Sequence, residues 1–284
     1  MEHTPYERSR WYERERWYER DGVRLHAVEA GPPAGPLYIL LHGFPEFSYG
    51  WRKQIPALAS AGYRVIVPDQ RGYNLSDKPR SVTAYAVNEL AADIISIANG
   101  QPFRLAGHDW GAAVAWTVAL ARPQGLEKLA ILNVPHPSVM MKHLTTDPGQ
   151  LLRSWYMFFF QLPTAPEALF RAVGKRSLVS TSRSGTFTPE DLNVYAEAWS
   201  RPGAVTGMIN WYRALLRTRP PAIKDPTIRV PTTIIWGARD RFLKAVMAQE
   251  SARFCPHSRL VYLTDATHWV QHEEPDRVNE LLLS

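Results

Sequence analysis

Short apolar runs recur along this chain with helix-like stretches between them, and that alternation constrains the fold more than any other feature. The runs are Leu37–Leu41, Arg64–Val67, Phe103–Ala106, Leu129–Leu132, Thr233–Trp236 and Leu260–Leu263. They are β-branched or Leu-rich and apolar throughout, as parallel strands covered on both faces must be. Helix-like segments fall between them at Gln54–Ala61, Val87–Asn99, Ala112–Ala121 and Ala245–Phe254. Strand and helix in alternation predict an α/β protein with a doubly wound, mostly parallel sheet. In such sheets the chemistry sits at the carboxyl ends of the strands.

The rhythm lapses between about Pro137 and Pro221. Here Gln150–Phe160, Pro166–Val173, Pro189–Ser200 and Ala204–Leu216 read as helices. Thr188-Pro189-Glu190-Asp191 is a helix start, with Pro at the first helical position and acids in the first turn. The expected organisation is therefore an α/β core over residues 21–137 and 222–284, with a helical lid over 138–221 lying across the strand ends. Residues 1–20 form a charged and aromatic arm, in which YERSRW, YERERW and YERDG run in tandem from Tyr6 to Gly22. The last copy leads into a first strand; the other two are expected to be exposed and poorly ordered, the default for a terminus.

Composition removes several classes of function. Of 284 residues, 45% are hydrophobic and 21% charged, which suits a globular protein. Lys and Arg number 33 against 27 Asp and Glu, a net +6 that reads as a solvated surface. No Lys/Arg stripe is interleaved with aromatics, so nucleic acid is not an expected partner. No apolar run approaches the roughly 18 residues that would span a bilayer. The first twenty residues contain no apolar core of a secretory signal. Cys255 is the single cysteine and CxxC motifs are absent, which points to the cytoplasm and to a structural thiol.

The segment with the most chemistry is Phe103-Arg-Leu-Ala-Gly-His-Asp-Trp-Gly-Ala112. A strand ends in Gly107-His108-Asp109-Trp110-Gly111 and a helix of small residues follows, the form of a nucleophile elbow. The flanking glycines relieve crowding at the turn. The helix N-terminus then faces the central side chain with its positive dipole end. That central residue is Asp109. A carboxylate displaces a leaving group at an sp³ carbon and forms an alkyl-enzyme ester, whereas serine would form an acyl-enzyme. The plainer role for Asp109 is a cap on the next helix.

An ester on Asp109 needs a base to hydrolyse it. His268, in Thr264-Asp-Ala-Thr-His-Trp269, follows the last strand, and Asp240, in Trp236-Gly-Ala-Arg-Asp240, follows the strand before it. Nucleophile, acid, histidine is the chain order of hydrolase triads, with Asp240 holding the imidazole tautomer. His272 and Asp265 are nearby rivals for these roles. In Leu40-Leu-His-Gly-Phe-Pro-Glu46 a strand ends at His42-Gly43. The N–H of Phe44, with that of Trp110, is placed to form an oxyanion hole for the enzyme's own Asp109 carboxyl. No Walker, GxGxxG or HExxH motif is present, and neither metal nor organic cofactor is expected.

These segments resemble the α/β-hydrolase superfamily and, within it, the epoxide hydrolases. The resemblance rests on HGFPE (42–46), PDQRGYNLSDKP (68–79), GHDWGA (107–112), SWY (154–156), NWYR (210–213), WGARD (236–240) and THW (267–269). It implies two lid tyrosines that hold the epoxide oxygen and donate a proton as the ring opens. The matching positions are Tyr212 in NWYR and Tyr156 in SWY, although Phe159, one turn along, fits the second place if the alignment slips. It also implies hydrolysis of a small epoxide by water to a vicinal diol. Met140, Trp155, Met157 and Phe158 to Phe160 suggest an apolar pocket, with Phe44, Trp110, Trp155 and Phe159 as substrate contacts. The oligomeric expectation is a monomer or homodimer.

Two rivals share these residues. A haloalkane dehalogenase uses the same nucleophile, and Trp110 would suit halide, but Phe44 stands where that family usually places Asn. Asn133 occupies the position after Leu129–Leu132 where some dehalogenases carry the triad acid. A fluoroacetate dehalogenase would want Arg near the nucleophile, where Trp110 and Ala113 stand. From a different class, a non-catalytic ligand receptor could use the same fold; such proteins often lose a triad member, and all three are present here.

Overall fold

A computed structural model describes residues 11–219 and 222–284. Eight strands form one sheet in the order β1-β2-β4-β3-β5-β6-β7-β8. They are β1 (Arg14–Arg20), β2 (Val23–Ala30), β3 (Leu37–Leu41), β4 (Arg64–Pro68), β5 (Phe103–His108), β6 (Leu126–Leu132), β7 (Thr232–Gly237) and β8 (Ser258–Leu263). From β4 through β8 every neighbouring pair is parallel. Antiparallel β1 and β2 close the other edge. The doubly wound, mostly parallel sheet expected from the apolar runs is thus the observed fold.

The central strands β3 and β5 are apolar because both faces are covered. Leu37, Ile39 and Leu41 point into one hydrophobic layer and Tyr38 and Leu40 into the other. Helices α1 (Ile55–Ser60), α2 (Val87–Ala98), α3 (Trp110–Ala121), α10 (Val246–Ala252), α11 (Val270–Glu273) and α12 (Pro275–Leu283) belong to the sheet's two coats. Between β6 and β7 the chain makes six helices: α4 (Pro137–Thr146), α5 (Pro148–Arg153), α6 (Trp155–Phe159), α7 (Ala165–Thr181), α8 (Pro189–Ser200) and α9 (Ala204–Arg217). The start of α8 is the anticipated one. The Thr188 side chain accepts from the Asp191 N–H at 3.1 Å while Asp191 accepts from the Thr188 N–H at 2.9 Å, a closed capping box.

Two expectations change. The stretch Gln150–Phe160 is two helices rather than one, divided at Ser154, whose backbone leaves the helical region at ψ 12°. The arm changes more. Its first ten residues lie outside the described part, but Arg14–Trp17 of the second copy, expected to be exposed and poorly ordered, joins Tyr18–Arg20 in the outermost strand. Asp21 and Gly22, both at positive φ (51° and 74°), form a two-residue hairpin turn that pairs Arg20 with Val23. Trp17 packs on buried His26, ring centroids 5.3 Å apart, and the Tyr18 hydroxyl donates to Glu29 at 2.5 Å. Arg20 Nε donates to Asp93 at 2.8 Å. The Glu-Arg alternation that looked like a solvated tail dresses an exposed edge strand, where charges discourage further pairing.

Candidate active site

The elbow forms at the end of β5, in mid-sheet. Asp109 sits at φ 50°, ψ −124°, a strained conformation for a non-glycine residue. Its surroundings explain the glycines. A Cβ on Gly107 would lie 2.3 Å from the Gly111 carbonyl oxygen, and one on Gly111 would lie 2.2 Å from that of Leu41. Strand, turn and helix can close up only with hydrogen at both positions. Gly43, on the adjoining β3 loop, is as tightly placed, since its Cβ would come 2.6 Å from Asp109 Oδ1.

Around Asp109 the ends of four strands converge. From the β3 loop, the Phe44 N–H donates to Asp109 Oδ1 at 2.7 Å. From the loop after β8, His268 Nε2 lies 3.3 Å from Asp109 Oδ2. On its other side His268 Nδ1 lies 2.7 Å from Asp240 Oδ2, just past β7. Asp240 in turn accepts from the N–H groups of Phe242 at 2.7 Å and Leu243 at 3.0 Å, and from Asn133 Nδ2 at 2.7 Å. Asn133 ends β6 at φ 54° and also accepts from the Gly237 N–H at 3.1 Å. It therefore fastens Asp240 in place. Its sequence signal was its position, directly after the strand beside the one that leads into Asp109.

The two rivals are engaged elsewhere. His272 Nε2 lies 2.6 Å from Glu46 Oε1, and its other nitrogen 3.2 Å from Arg52. Asp265 is exposed and paired with Arg239 at 2.5 Å. Beneath His268 lies a buried polar layer that motif reading missed. His108 Nε2 meets the His268 carbonyl at 2.8 Å, and Gln271 Nε2 contacts His108 Nδ1 and Glu46 Oε2, each at 3.0 Å. Fully buried Glu46 also accepts from the Tyr195 hydroxyl at 2.6 Å.

The charges of the site are strongly coupled. Burial works against the His268 cation, but Asp240 and Asp109 outweigh it and push the imidazole up to about 10. Burial, the largest single effect, raises the Asp109 carboxyl, but the bond to His268, the His268 and His108 charges and the Phe44 N–H together outweigh it and leave the group below its ordinary value. Resting Asp109 is thus an anion with no proton of its own to lose.

The lid helices close over this carboxylate. Tyr156 from α6 and Tyr212 from α9 face each other, ring centroids 5.9 Å apart. Tyr212 also packs edge-on against Trp110 at 5.0 Å and Phe44 at 5.3 Å, and Tyr156 against Phe242 at 5.8 Å. Burial, followed by the Asp109 charge, pushes both phenols up from their ordinary value, so both hold their protons. The other aromatic at Tyr212 is Phe160, at 4.8 Å. Phe159 turns to Trp155 and Phe160 instead. Trp155, expected as a substrate contact, is 58% exposed on the outer side of α6. One residue before Tyr156, it is rotated by about 100° around the helix, which turns it from the site. Cys255 is buried near Ser251, and burial pushes its thiol up to about 12. Among the described residues no cluster of His, Cys, Asp or Glu is arranged to hold a metal ion, and no helix is long and apolar enough to cross a membrane.

The family model described as alpha/beta hydrolase fold matches residues 36–275. Epoxide hydrolase 4 of Mus musculus is 39% identical over 92% of this chain and 76% of its own length. The chain belongs to the epoxide hydrolase family. Epoxide hydrolase 1 of Caenorhabditis elegans is 37% identical over 91% of this chain and 66% of its own. An AB hydrolase superfamily protein of Bacillus subtilis, YfhM, is 47% identical over 93% and 94% of the two chains. Among solved structures, a Bacillus megaterium epoxide hydrolase in complex with an inhibitor superposes with a TM-score of 0.83 at 30% identity, covering 94% of this chain and 98% of that one. An epoxide hydrolase from hot-environment metagenomes gives 0.84 at 33% identity, covering 96% and 99%.

Proposed function

We propose that this epoxide hydrolase family member opens an apolar epoxide to a vicinal diol through a covalent ester on Asp109. The observation that carries the reading is an Asp109 carboxylate lying between the Phe44 N–H and His268, beneath two facing phenols. The two carboxylate oxygens have different tasks. Oδ2, on the His268 side, attacks a ring carbon from the rear. The C–O bond of the epoxide breaks as the new ester bond forms. The departing oxygen takes a proton from Tyr156 or Tyr212, whose neutral phenols donate hydrogen bonds without placing a fixed charge in an apolar pocket.

Ester formation also switches the base on. While Asp109 is charged, it helps to keep His268 protonated. Once alkylated, Asp109 is neutral and that support is gone. The imidazole then sheds its proton, and the phenolate left by ring opening takes one back, so that the tyrosine is neutral again and His268, held in the right tautomer by Asp240, is free to act as a base. Water loses a proton to His268 and attacks the Asp109 carbonyl carbon. Oδ1 becomes the oxyanion, already bonded to the Phe44 N–H, with the Trp110 N–H at the start of α3 as its second proposed donor. Collapse releases the diol and regenerates the carboxylate. The reaction needs substrate and water and no cofactor. The aromatic lining of Phe44, Trp110, Phe160 and Phe242 selects apolar aryl or alkyl epoxides.

The test runs two substrates in parallel on purified protein: an aryl epoxide assayed for diol and a primary haloalkane assayed for free halide. Diol without halide, abolished in Asp109→Ala, is the expected result. Halide without diol would assign the site to dehalogenation, with Trp110 as the halide donor. A folded protein silent in both, and gaining no mass with a reactive epoxide, would make it a receptor.

A further inference from the structure

Of the sixteen large hydrophobic side chains that are exposed among the described residues, eleven lie between 138 and 221, less than a third of the chain. The same stretch holds ten Lys and Arg against five Asp and Glu, so it carries +5 of the chain's +6. Apolar and cationic surface are thus concentrated together on the lid, and on its outer side.

Helix geometry gathers them. Trp155 and Phe158 stand one turn apart on α6, with Leu151 near the end of α5 and Leu162 in the turn that follows α6, and all four are exposed. Leu152 beside them is 75% exposed. On α7 the solvent face reads Leu169, Arg171, Val173, Lys175, Arg176 and Val179. Buried Arg213 ties these elements into one surface. Its Nη2 donates to the Leu162 carbonyl at 2.7 Å, its Nε to that of Phe160 at 3.1 Å, and its Nη1 to Glu167 on α7 at 2.7 Å. One turn beyond Arg213 on α9 stands Leu216, 65% exposed.

The charge on this surface is uncompensated. Between residues 148 and 189 the sole acid is Glu167, and it is buried against Arg213. Among the described residues Arg171, Arg176 and Arg217 make no ion pair, and Lys175 bonds only the neutral Asn193 amide, at 2.9 Å. A merely solvated helix would carry acids among its cations and keep Trp, Phe and Leu inward. Trp and Phe beside unpaired cations are what an interfacial helix presents to anionic lipid.

We propose that the outer face of α5, α6 and α7, with the end of α9, docks this protein on an anionic lipid surface. The inference goes beyond the proposed reaction and does not depend on it. It would bring the site to the phase in which apolar molecules concentrate, since α6 and α9 carry Tyr156 and Tyr212 on their inner sides.

The test is sedimentation of the whole chain with phosphatidylcholine vesicles, with and without phosphatidylglycerol. Binding to the phosphatidylglycerol vesicles that falls as salt is raised is expected for the unaltered protein. The triple variant Arg171→Glu, Lys175→Glu, Arg176→Glu should bind on the order of 100-fold more weakly, from about fivefold per cation at such a surface. Leu152→Ser with Leu216→Ser should lose about tenfold. Both variants alter exposed side chains and should keep the parent melting temperature. Failure of the unaltered protein to bind at low salt would overturn the proposal. So would variants that bind as the parent does. Self-association abolished by Leu152→Ser and Leu216→Ser, without vesicle binding, would assign the face to a second copy of this chain.

Discussion

The coupling between Asp109 and His268 can be tested without any substrate, because Asp109→Asn reproduces the loss of charge that the proposed alkylation would cause. The amide is nearly isosteric, so Asp240 and the Phe44 N–H keep their places while the anion 3.3 Å from His268 Nε2 disappears. An opposite charge at this range holds a cation's proton by about one to three pH units. The His268 imidazole, pushed up to about 10 in the parent, should therefore titrate at about 7–9 in the variant. Histidine NMR signals followed against pH read this directly. The sign also carries into stability. His268 is raised in the fold, so its contribution is complete below its ordinary value near 6.5 and is lost as pH climbs through about 10. Asp109 is lowered, so its contribution holds above its ordinary 3.8 and is lost on acidification. Measured by urea unfolding, the parent's stability relative to Asp109→Asn should be greatest between these limits and decline on either side. A His268 titration identical in the two proteins would refute the coupling, and with it the account of how the base is switched on.

Four further outcomes follow from the geometry. Tyr212→Phe should lower turnover of an aryl epoxide by about 10²–10³-fold and leave the melting temperature nearly unchanged, since it removes a proton donor and little packing. Asn133→Ala strips Asp240 of one donor, orphans the Gly237 N–H and puts alanine at φ 54°; a loss of about 2–4 kcal/mol in urea unfolding is expected, with reduced turnover. Gly43→Ala drives a Cβ to 2.6 Å from Asp109 Oδ1 and should cost on the order of 100-fold in turnover through misplacement of the nucleophile. The single-turnover rate of ester formation should be flat from about pH 5 to 9, because Asp109 stays ionised and both phenols stay protonated; a midpoint near 6.5 would mean that a neutral histidine is required in that step.

What could be read before any coordinates was what depends on local chemistry. The apolar runs located β3 to β7 because a strand covered on both faces has no alternative composition, and the short run Leu260–Leu263 located the edge strand β8, whose Arg259 and Tyr262 are exposed. The elbow was readable because close strand-to-helix packing admits only glycine at 107 and 111. The chain order of Asp109, Asp240 and His268 followed from their places after the runs that form β5, β7 and β8. Harder to read was whatever depends on a distant partner. Arg14–Arg20 looked like a solvated tail because its pairing strand, and His26 beneath Trp17, supply the order. The Asp-Gly turn at 21–22 was the available signal for that hairpin. Trp155 was assigned inward from composition alone, whereas the face it occupies is set by Tyr156, one position on. Glu46, His108, Gln271 and His272 come from three separate segments, and only folding brings them into one layer.

Asn133 shows how the chemistry of the site divides between neighbouring strand ends. The carboxylate that orients His268 stands after β7, and the side chain after β6 reaches the same oxygen, Asp240 Oδ2, from the other side. An acid at position 133 would bring a second negative charge to within a hydrogen bond of the first. Both carboxylates would then compete for His268, and one would be driven to take up a proton. An amide avoids that conflict. It presents its N–H to Asp240 and its oxygen to the Gly237 N–H, so both ends are satisfied and the acid keeps its full charge. The residue that at first only argued against a dehalogenase therefore has a positive task in this fold. It leaves Asp240 as the single anion behind His268, and this is the condition under which loss of the Asp109 charge alone can switch the imidazole from acid to base.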